Sequence, residues 1–255
     1  MDISIKQKTN FKKGWYEKMK FKPETIAKIR KQLLDLKTDF LAMLASGVKL
    51  SVSITKGNRK IGDTHNISLP PMLSCGEACK VCCDTCYDGK ACLQYENVRK
   101  ARAKNYAILE HDFNDYWQQI NKYLNRNFKS KYFRYHVGGD IPSYEYFEKM
   151  VETAEKHSNW FFWTYTKQYH FVNKYVRLHG GKKSCIPTNL SIMFSEWRPL
   201  PMYNPYGFAE FRFIEKEKAT AEYLKGKRLC NGNCQYCINN KCHCIANQTT
   251  YVVEH

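Results

Sequence analysis

With 255 residues, 43% of them hydrophobic, the chain is long enough to bury one large core. No run of about 18 apolar residues occurs, which excludes a transmembrane helix, and the start, Met1-Asp2-Ile3-Ser4-Ile5-Lys6, lacks the apolar stretch of a signal peptide, so a reducing cytoplasm is the expected compartment. The formal net charge of +17 suits an acidic partner such as nucleic acid, and a solvated lysine-rich face accounts for it equally well.

Residues 1–21 are basic and aromatic without periodicity and read as an arm or cap. A helix is expected from Pro23, near its first turn, to a stop at Gly47. Ile26, Ile29, Leu33, Leu36, Phe40 and Leu44 recur at three- and four-residue spacing and form its buried stripe. Residues 1–47 are therefore one unit, a basic N-terminal arm and helical cap. Residues 48–55 alternate apolar and polar as a strand does, 56–60 read as a turn, and 65–69 read as a second strand running towards Pro70-Pro71. A cysteine-rich loop follows. Two helices are expected next, from about Tyr95 to Glu110 and from Asp112, a plausible cap, to Asn127.

From Tyr132 the order repeats. Strands at 132–137, 160–165 and 190–194 alternate with a helix capped by Ser143 and a shorter one ending near His179. This β-α-β-α-β order predicts an α/β fold with a parallel sheet, open or curled into a partial (β/α) barrel. A Pro/Tyr-rich loop, 198–207, and a strand at 209–214 complete a core spanning residues 48–215. Residues 216–255 form a Cys-rich C-terminal extension.

Twelve cysteines in a chain without an export signal read as metal ligands rather than disulfides. Cys75, Cys79, Cys82, Cys83 and Cys86 lie within one loop, and Cys230, Cys234, Cys237, Cys242 and Cys244 within a second. The first loop offers Cys75/Cys79/Cys82, Cys79/Cys83/Cys86, or the wider Cys75/Cys82/Cys86, and the register stays open. Three thiolates hold three irons of a [4Fe–4S] cube and leave the fourth open to a ligand. A closed structural zinc site takes four. At the second loop an added [4Fe–4S] cluster and a zinc knob of Cys230, Cys234, Cys237 and either Cys242 or Cys244 stand as equals. Cys92 and Cys185 suit packing, although Cys92 is near enough in sequence to supply a fourth ligand.

Functional groups in parallel α/β sheets gather at the carboxyl ends of the strands. The first cysteine loop, Gly138-Gly139-Asp140, Thr166-Lys167 and Ser195-Glu196-Trp197 all follow predicted strands and should converge on one face.

A three-cysteine loop after an early strand, with Gly-Gly-Asp after the next, resembles the radical S-adenosylmethionine (SAM) superfamily. Asn66-Ile67-Ser68-Leu69-Pro70-Pro71, Cys86-Tyr87, Val98-Arg99, His136-Val137-Gly138-Gly139-Asp140-Ile141-Pro142, Tyr165-Thr166-Lys167 and Asn189-Leu190 more closely resemble the phage family called gene product eighty-eight. That second likeness spans roughly residues 50–240 and implies a phage or prophage protein working in the host cytoplasm.

The superfamily likeness implies an iron–sulfur enzyme that cleaves SAM reductively to a 5′-deoxyadenosyl radical, which abstracts hydrogen from an unknown substrate. It implies Gly138, Gly139 and Asp140 at the SAM amino end, Lys167 and Ser195 at the SAM carboxylate or the substrate, and a flavodoxin- or ferredoxin-like one-electron reductant. The sequence departs from that pattern in ending the glycine motif with Asp140 and in placing Pro142 one residue further on. The competing reading is a zinc-stabilised, non-catalytic phage protein whose basic N-terminal part, with 15 Lys/Arg against 5 Asp/Glu in residues 1–60, binds nucleic acid.

Overall fold

The computed structural model describes residues 20–57, 61–76, 82–197 and 200–253. The expected N-terminal arm, all but its last two residues, therefore lies outside the described residues, as do Cys79 and much of the predicted 56–60 turn.

Seven strands form one sheet in the order of the chain: β1 (Ile54–Thr55), β2 (His65–Ile67), β3 (Tyr132–Tyr135), β4 (Phe161–Thr166), β5 (Leu190–Ser195), β6 (Ala209–Ile214) and β7 (Thr250–Val253). β1 pairs antiparallel with β2, and every later neighbour pairs in parallel. Parallel neighbours need long crossovers. Here they are supplied by α2 (Tyr87–Gln94), α3 (Glu96–His111) and α4 (Phe113–Leu124) between β2 and β3, α5 (Tyr144–Lys156) between β3 and β4, and α6 (Tyr169–Leu178) between β4 and β5. A parallel sheet ordered along the chain is the expected partial (β/α) barrel architecture, and α1 (Pro23–Ala45) is the expected N-terminal helix.

Strand side chains alternate between two faces. Ile67, Phe133, Tyr135, Phe162, Leu190, Ile192 and Phe194 point to the helices and join Trp117, Ile120, Phe147, Met150 and Val172 in the main core. Met193 and Ala209 point the other way and meet Cys244 of the C-terminal segment. The two cysteine-bearing segments thus serve different parts of one sheet: the first leaves a strand end, and the second packs on the face opposite the helices.

Caps explain where the helices begin. Asp112 accepts from the Asp115 N–H at 2.9 Å at the start of α4, and Ser143 accepts from the Tyr146 N–H at 3.1 Å at the start of α5. Of the stripe predicted on α1, Ile29 and Leu33 are fully buried, against Met72, Cys83 and Cys92. The helix therefore covers the cysteine loop from behind.

Residues 48–53 depart from the strand predicted over 48–55. Their backbone is paired by side chains instead of a neighbouring strand. Gln119 accepts from the Val52 N–H at 2.8 Å and donates to the Leu50 carbonyl at 3.1 Å, while Asn105 accepts from the Ser53 N–H at 2.6 Å and donates to its carbonyl at 3.1 Å. The expected alternation holds only in part, with Leu50 and Val52 half-buried but Val48 exposed and Ser53 half-buried, and the segment's partners are two helices. Three further elements carry no expectation from sequence: α2, α8 (Cys234–Asn240) and β7, along with the one-turn α7 (Ala221–Leu224). β7 belongs to the segment after the second cysteine loop and closes the far edge of the sheet on β6.

Candidate metal centres at two cysteine segments

The carboxyl ends of β2, β3 and β4 are bonded to one another. The Leu69 N–H donates to the Gly138 carbonyl at 3.1 Å, and the Gly138 N–H donates to Ser68 Oγ at 3.2 Å. Ser74 Oγ donates to the Pro70 carbonyl at 2.9 Å and accepts from the Asp140 N–H at 3.4 Å. Both glycines are required by this closeness. A Cβ on Gly138 would lie 1.9 Å from Asp88 Oδ2, and one on Gly139 (φ +79°) would lie 2.6 Å from Ser74 Oγ and 2.7 Å from the Leu69 carbonyl oxygen.

Asp140 is buried at the centre of this junction. Oδ1 accepts from Thr166 Oγ1 at 2.7 Å and from the Ile141 N–H at 2.8 Å, and Oδ2 accepts from the Lys167 N–H at 2.9 Å. Burial pushes its carboxyl above the usual carboxylate range against the pull of those donors. A carboxylate has about four acceptor sites, so three bonds leave one, on Oδ2, for a further donor. Gln168 ties the next step: its N–H donates to Thr166 Oγ1 at 2.9 Å and its side-chain amide donates to the Cys75 carbonyl.

On the cysteine loop, Cys75, Cys82 and Cys86 are outside any disulfide, but Cys83, expected as a ligand rather than a disulfide partner, is disulfide-bonded, which takes its sulfur out of the ligand set. Cys83 is also turned into the apolar cluster under α1, where Arg30 Nη2 donates to its sulfur at 3.9 Å. Cys92 is buried and accepts from Arg102 Nη1 at 3.3 Å, so it is committed to the helix layer. Burial raises all three free thiols, Cys86 to about 12, and Cys75 is raised further by the charges of Asp140, Cys86 and Cys82. The Lys167 ammonium acts in the opposite direction on Cys82. The ligand atoms of these three thiols do not gather within 4.8 Å of one another as those of a single-ion site do, but their charges act on one another, and the Lys167 ammonium offsets part of that effect at Cys82.

A buried ion pair underlies the glycine turn. Asp88 Oδ1 and Arg102 Nη2 are 2.5 Å apart, both nearly inaccessible to water. Burial holds the Asp88 carboxyl up, to about 7, against Arg102 and Arg134. Tyr87 donates its hydroxyl to the Val137 carbonyl and so fastens the start of α2 to the β3 end.

The remaining predicted cofactor residues sit on the same edge. The Lys167 ammonium lies 5.5 Å from the Trp197 ring centroid, and the Ser195 carbonyl, at the end of β5, accepts from the Tyr169 hydroxyl. Sequence reasoning placed Thr166 at this strand end and missed Ser74, Asp88 and Gln168; Ser74 and Asp88 stand in no motif, and Gln168 is marked only by following Thr166-Lys167. Two surface clefts, of about 310 and 370 Å³, lie elsewhere: one between α4 and α5, the other where Asp63 and Lys129 meet Gln235. Hydrogen bonding and thiol chemistry, rather than cleft size, mark this edge.

At the second segment, ligand atoms of Cys237, Cys242 and His243 lie within 4.8 Å of one another. His243 was passed over in sequence because no second histidine stands at ligand spacing. Its position between Cys242 and Cys244 was the available signal. The Tyr165 hydroxyl donates to Cys244 Sγ at 2.7 Å, and Ser191 Oγ donates to the Cys244 carbonyl at 2.7 Å. Cys230 is held by its N–H to the Tyr251 carbonyl at 2.7 Å, and its charge reaches both Cys237 and Cys244. This segment is able to bind a metal.

The fold and its two segments define a class: a mostly parallel α/β sheet ordered along the chain, with thiols presented at a strand end and a Cys/His group on its inner face. More particularly, the chain belongs to the Gene product 88 family, whose family model matches residues 42–197. The match covers the first cysteine loop, the glycine turn and the ends of β4 and β5, and stops before the second cysteine segment. The family is a phage one, and among the described residues no helix is long and apolar enough to cross a membrane. No curated protein and no solved structure matches the chain.

Proposed function

We propose that the chain is an iron–sulfur enzyme of the radical SAM type, with Cys75, Cys82 and Cys86 as ligands of a [4Fe–4S] cluster. The observation that carries this is the junction itself. Cys75, Cys82 and Cys86 follow the end of the first parallel strand, and the start of their loop is bonded to the ends of the next two, through Ser74 Oγ to the Asp140 N–H and through the Cys75 carbonyl to Gln168. The donor set fits the group. Cys83 and Cys92 are each committed elsewhere, so three thiolates rather than four are on offer among the described residues. Three suit a cube with one open iron better than a closed tetrahedral zinc.

When bound together, cluster and SAM supply a one-electron route to a carbon radical able to take hydrogen from a substrate. The chain's own residues have simpler tasks. Gly138 and Gly139 bring the turn against the cysteine loop without a side chain between them. Asp140 keeps one acceptor site for an ammonium group while its other bonds fix the turn to β4. Lys167, whose charge acts on Cys82, would balance thiolate charge, and in this reading its ammonium and the Ser195 hydroxyl at the next strand end would meet the SAM carboxylate or the substrate. A flavodoxin- or ferredoxin-like reductant is the partner this chemistry needs. Residues 48–215 form the catalytic core in this reading, 1–47 its cap and 216–255 a metal-binding extension.

The test is iron and acid-labile sulfide analysis after anaerobic reconstitution of the full chain. Alanine at Cys75, Cys82 or Cys86 should each remove about four irons per chain, and Cys83→Ala should leave them. Stoichiometric zinc without iron, or loss of iron in Cys83→Ala but not in Cys82→Ala, would overturn the assignment and favour the zinc-stabilised nucleic-acid-binding alternative.

A further inference from the structure

We infer that Cys237, Cys242 and His243, with Cys230 at the fourth corner, form a mononuclear zinc site, and that this ion cross-links the β6–β7 connection into one unit, which Cys244 seats on the face of the sheet opposite the helices. Spacing decides the nuclearity. Zinc bonds of about 2.0–2.3 Å at tetrahedral angles set neighbouring ligand atoms about 3.5–3.8 Å apart. The three ligand atoms, all within 4.8 Å of one another, are already close to that arrangement. A cubane takes one ligand per iron at separate corners and spreads its thiolates more widely than one shared ion does.

His243 adds a second, independent sign. Its Nδ1 is buried and has no hydrogen-bond partner, a costly condition that a metal ion relieves. The backbone is bent to place it: Lys241 and His243 both take left-handed conformations (φ +46° and +53°), and the Cys242 N–H donates to the Cys237 carbonyl at 3.1 Å. Imidazole together with thiolates is a common zinc donor set.

Cys230 lies outside the close group of three and would move in as the fourth ligand: Cys244 is engaged otherwise, and Cys234 acts on Arg134 and Cys244 rather than on Cys237. Cys244 Sγ accepts from Tyr165 on β4, and its carbonyl accepts from Ser191 on β5. Cys230 enters from the strand side, fixed to Tyr251 of β7. On binding, three thiols release three protons and the neutral imidazole releases none, leaving a net charge of −1 at the site. Arg134 of β3, whose guanidinium carbon lies 4.9 Å from the Tyr165 ring centroid, carries its charge close to Cys234 and Cys244 and offsets part of it. The ion thus ties Cys230, early in the β6–β7 connection, to α8 and to residues 242–243, next to Cys244, which touches Tyr165, Ser191, Met193 and Ala209. It closes one face of the sheet and leaves the strand ends free for the first cysteine loop.

The test uses the full chain with Cys75, Cys82 and Cys86 replaced by alanine, so that signal from the first loop is absent whatever metal that loop holds. One zinc per chain is expected, exchangeable for cobalt(II) with the intense visible bands and thiolate charge transfer of a tetrahedral site. His243→Ala should weaken cobalt retention against a chelator at least tenfold and shift the visible bands, and His243→Cys should restore retention. Cys244→Ser should keep the ion. In the unmodified chain, the metal bound at these residues should be zinc whether or not iron is found at the first loop. About four irons held by the triple variant, or cobalt retention indifferent to His243→Ala, would overturn the proposal.

Discussion

At the scale of single residues, the glycine turn is demanding because two loops meet there with no room for a methyl group. Gly138→Ala places a Cβ 1.9 Å from one side of a buried ion pair whose carboxylate is also bonded to Arg102. Neither partner moves cheaply, so the substitution should cost about 1–3 kcal/mol or more of folding stability. Gly207→Ala meets nothing within 4 Å and bears only the strain of its φ of +65°. Urea midpoints of the two variants should separate, with Gly138→Ala much the lower; equal midpoints would show that the turn is looser than its contacts imply. The glycines, Asp140 and the cysteines were legible in sequence because each is an unusual residue in an unusual pattern. Gln168, Ser74 and Asp88 were not, and the bond of Thr166 was not either. Thr166 bonds Asp140 and Gln168 bonds Cys75 across 26 and 93 residues, Ser74 accepts from the Asp140 N–H, Asp88 pairs with Arg102, and no local pattern announces these partners.

At the scale of elements, strands β3 to β6 and helices α1 and α3 to α6 follow from periodicity: β3 to β5 and α3 to α6 bury a face in the main core, α1 in the cluster under the cysteine loop and β6 against Met193 and Cys244. Periodicity failed where the partner is a side chain, as at residues 48–53, or where the element is very short, as at Thr250–Val253. α1 shows how an element distant from the strand ends supports the site. Leu33 is fully buried against the cluster that holds Cys83 and Met72 behind the cysteine loop. Leu33→Ala should cost about 2–5 kcal/mol. It should also slow metal uptake by the first loop, whereas Leu34→Ala, on the exposed side of the same helix, should do neither. Thermal melts with parallel iron-uptake traces check this, and equal behaviour of the two variants would remove α1 from the account.

At the scale of the whole molecule, the buried polar groups set a pH window. His136, in the left-handed region at φ +55°, bonds the Tyr146 hydroxyl at 3.2 Å and leaves Nδ1 without a partner. Burial first, and then Arg134, lowers it from 6.5 to about 3. The unfolded chain therefore binds a proton that the folded chain refuses between those values. The contribution is fully present above about pH 6.5 and is lost as pH falls towards 3. Asp88 acts oppositely, because its raised value favours the folded state at low pH and that contribution fades as pH rises to about 7. His136→Asn, which tolerates the same backbone conformation, should isolate the first effect. Wild type should lose stability relative to the variant on acidification from pH 6.5 to 4.5, and a gap that stays constant would contradict the assignment.

The central claim is that the junction of β2, β3 and β4 holds a cluster with one iron open to SAM. The most direct measurement is 5′-deoxyadenosine formed from SAM by the anaerobically reconstituted full chain under dithionite. The account predicts formation of 5′-deoxyadenosine that is abolished by alanine at Cys75, Cys82 or Cys86 and retained in Cys83→Ala. Iron-replete protein that leaves SAM intact would contradict it.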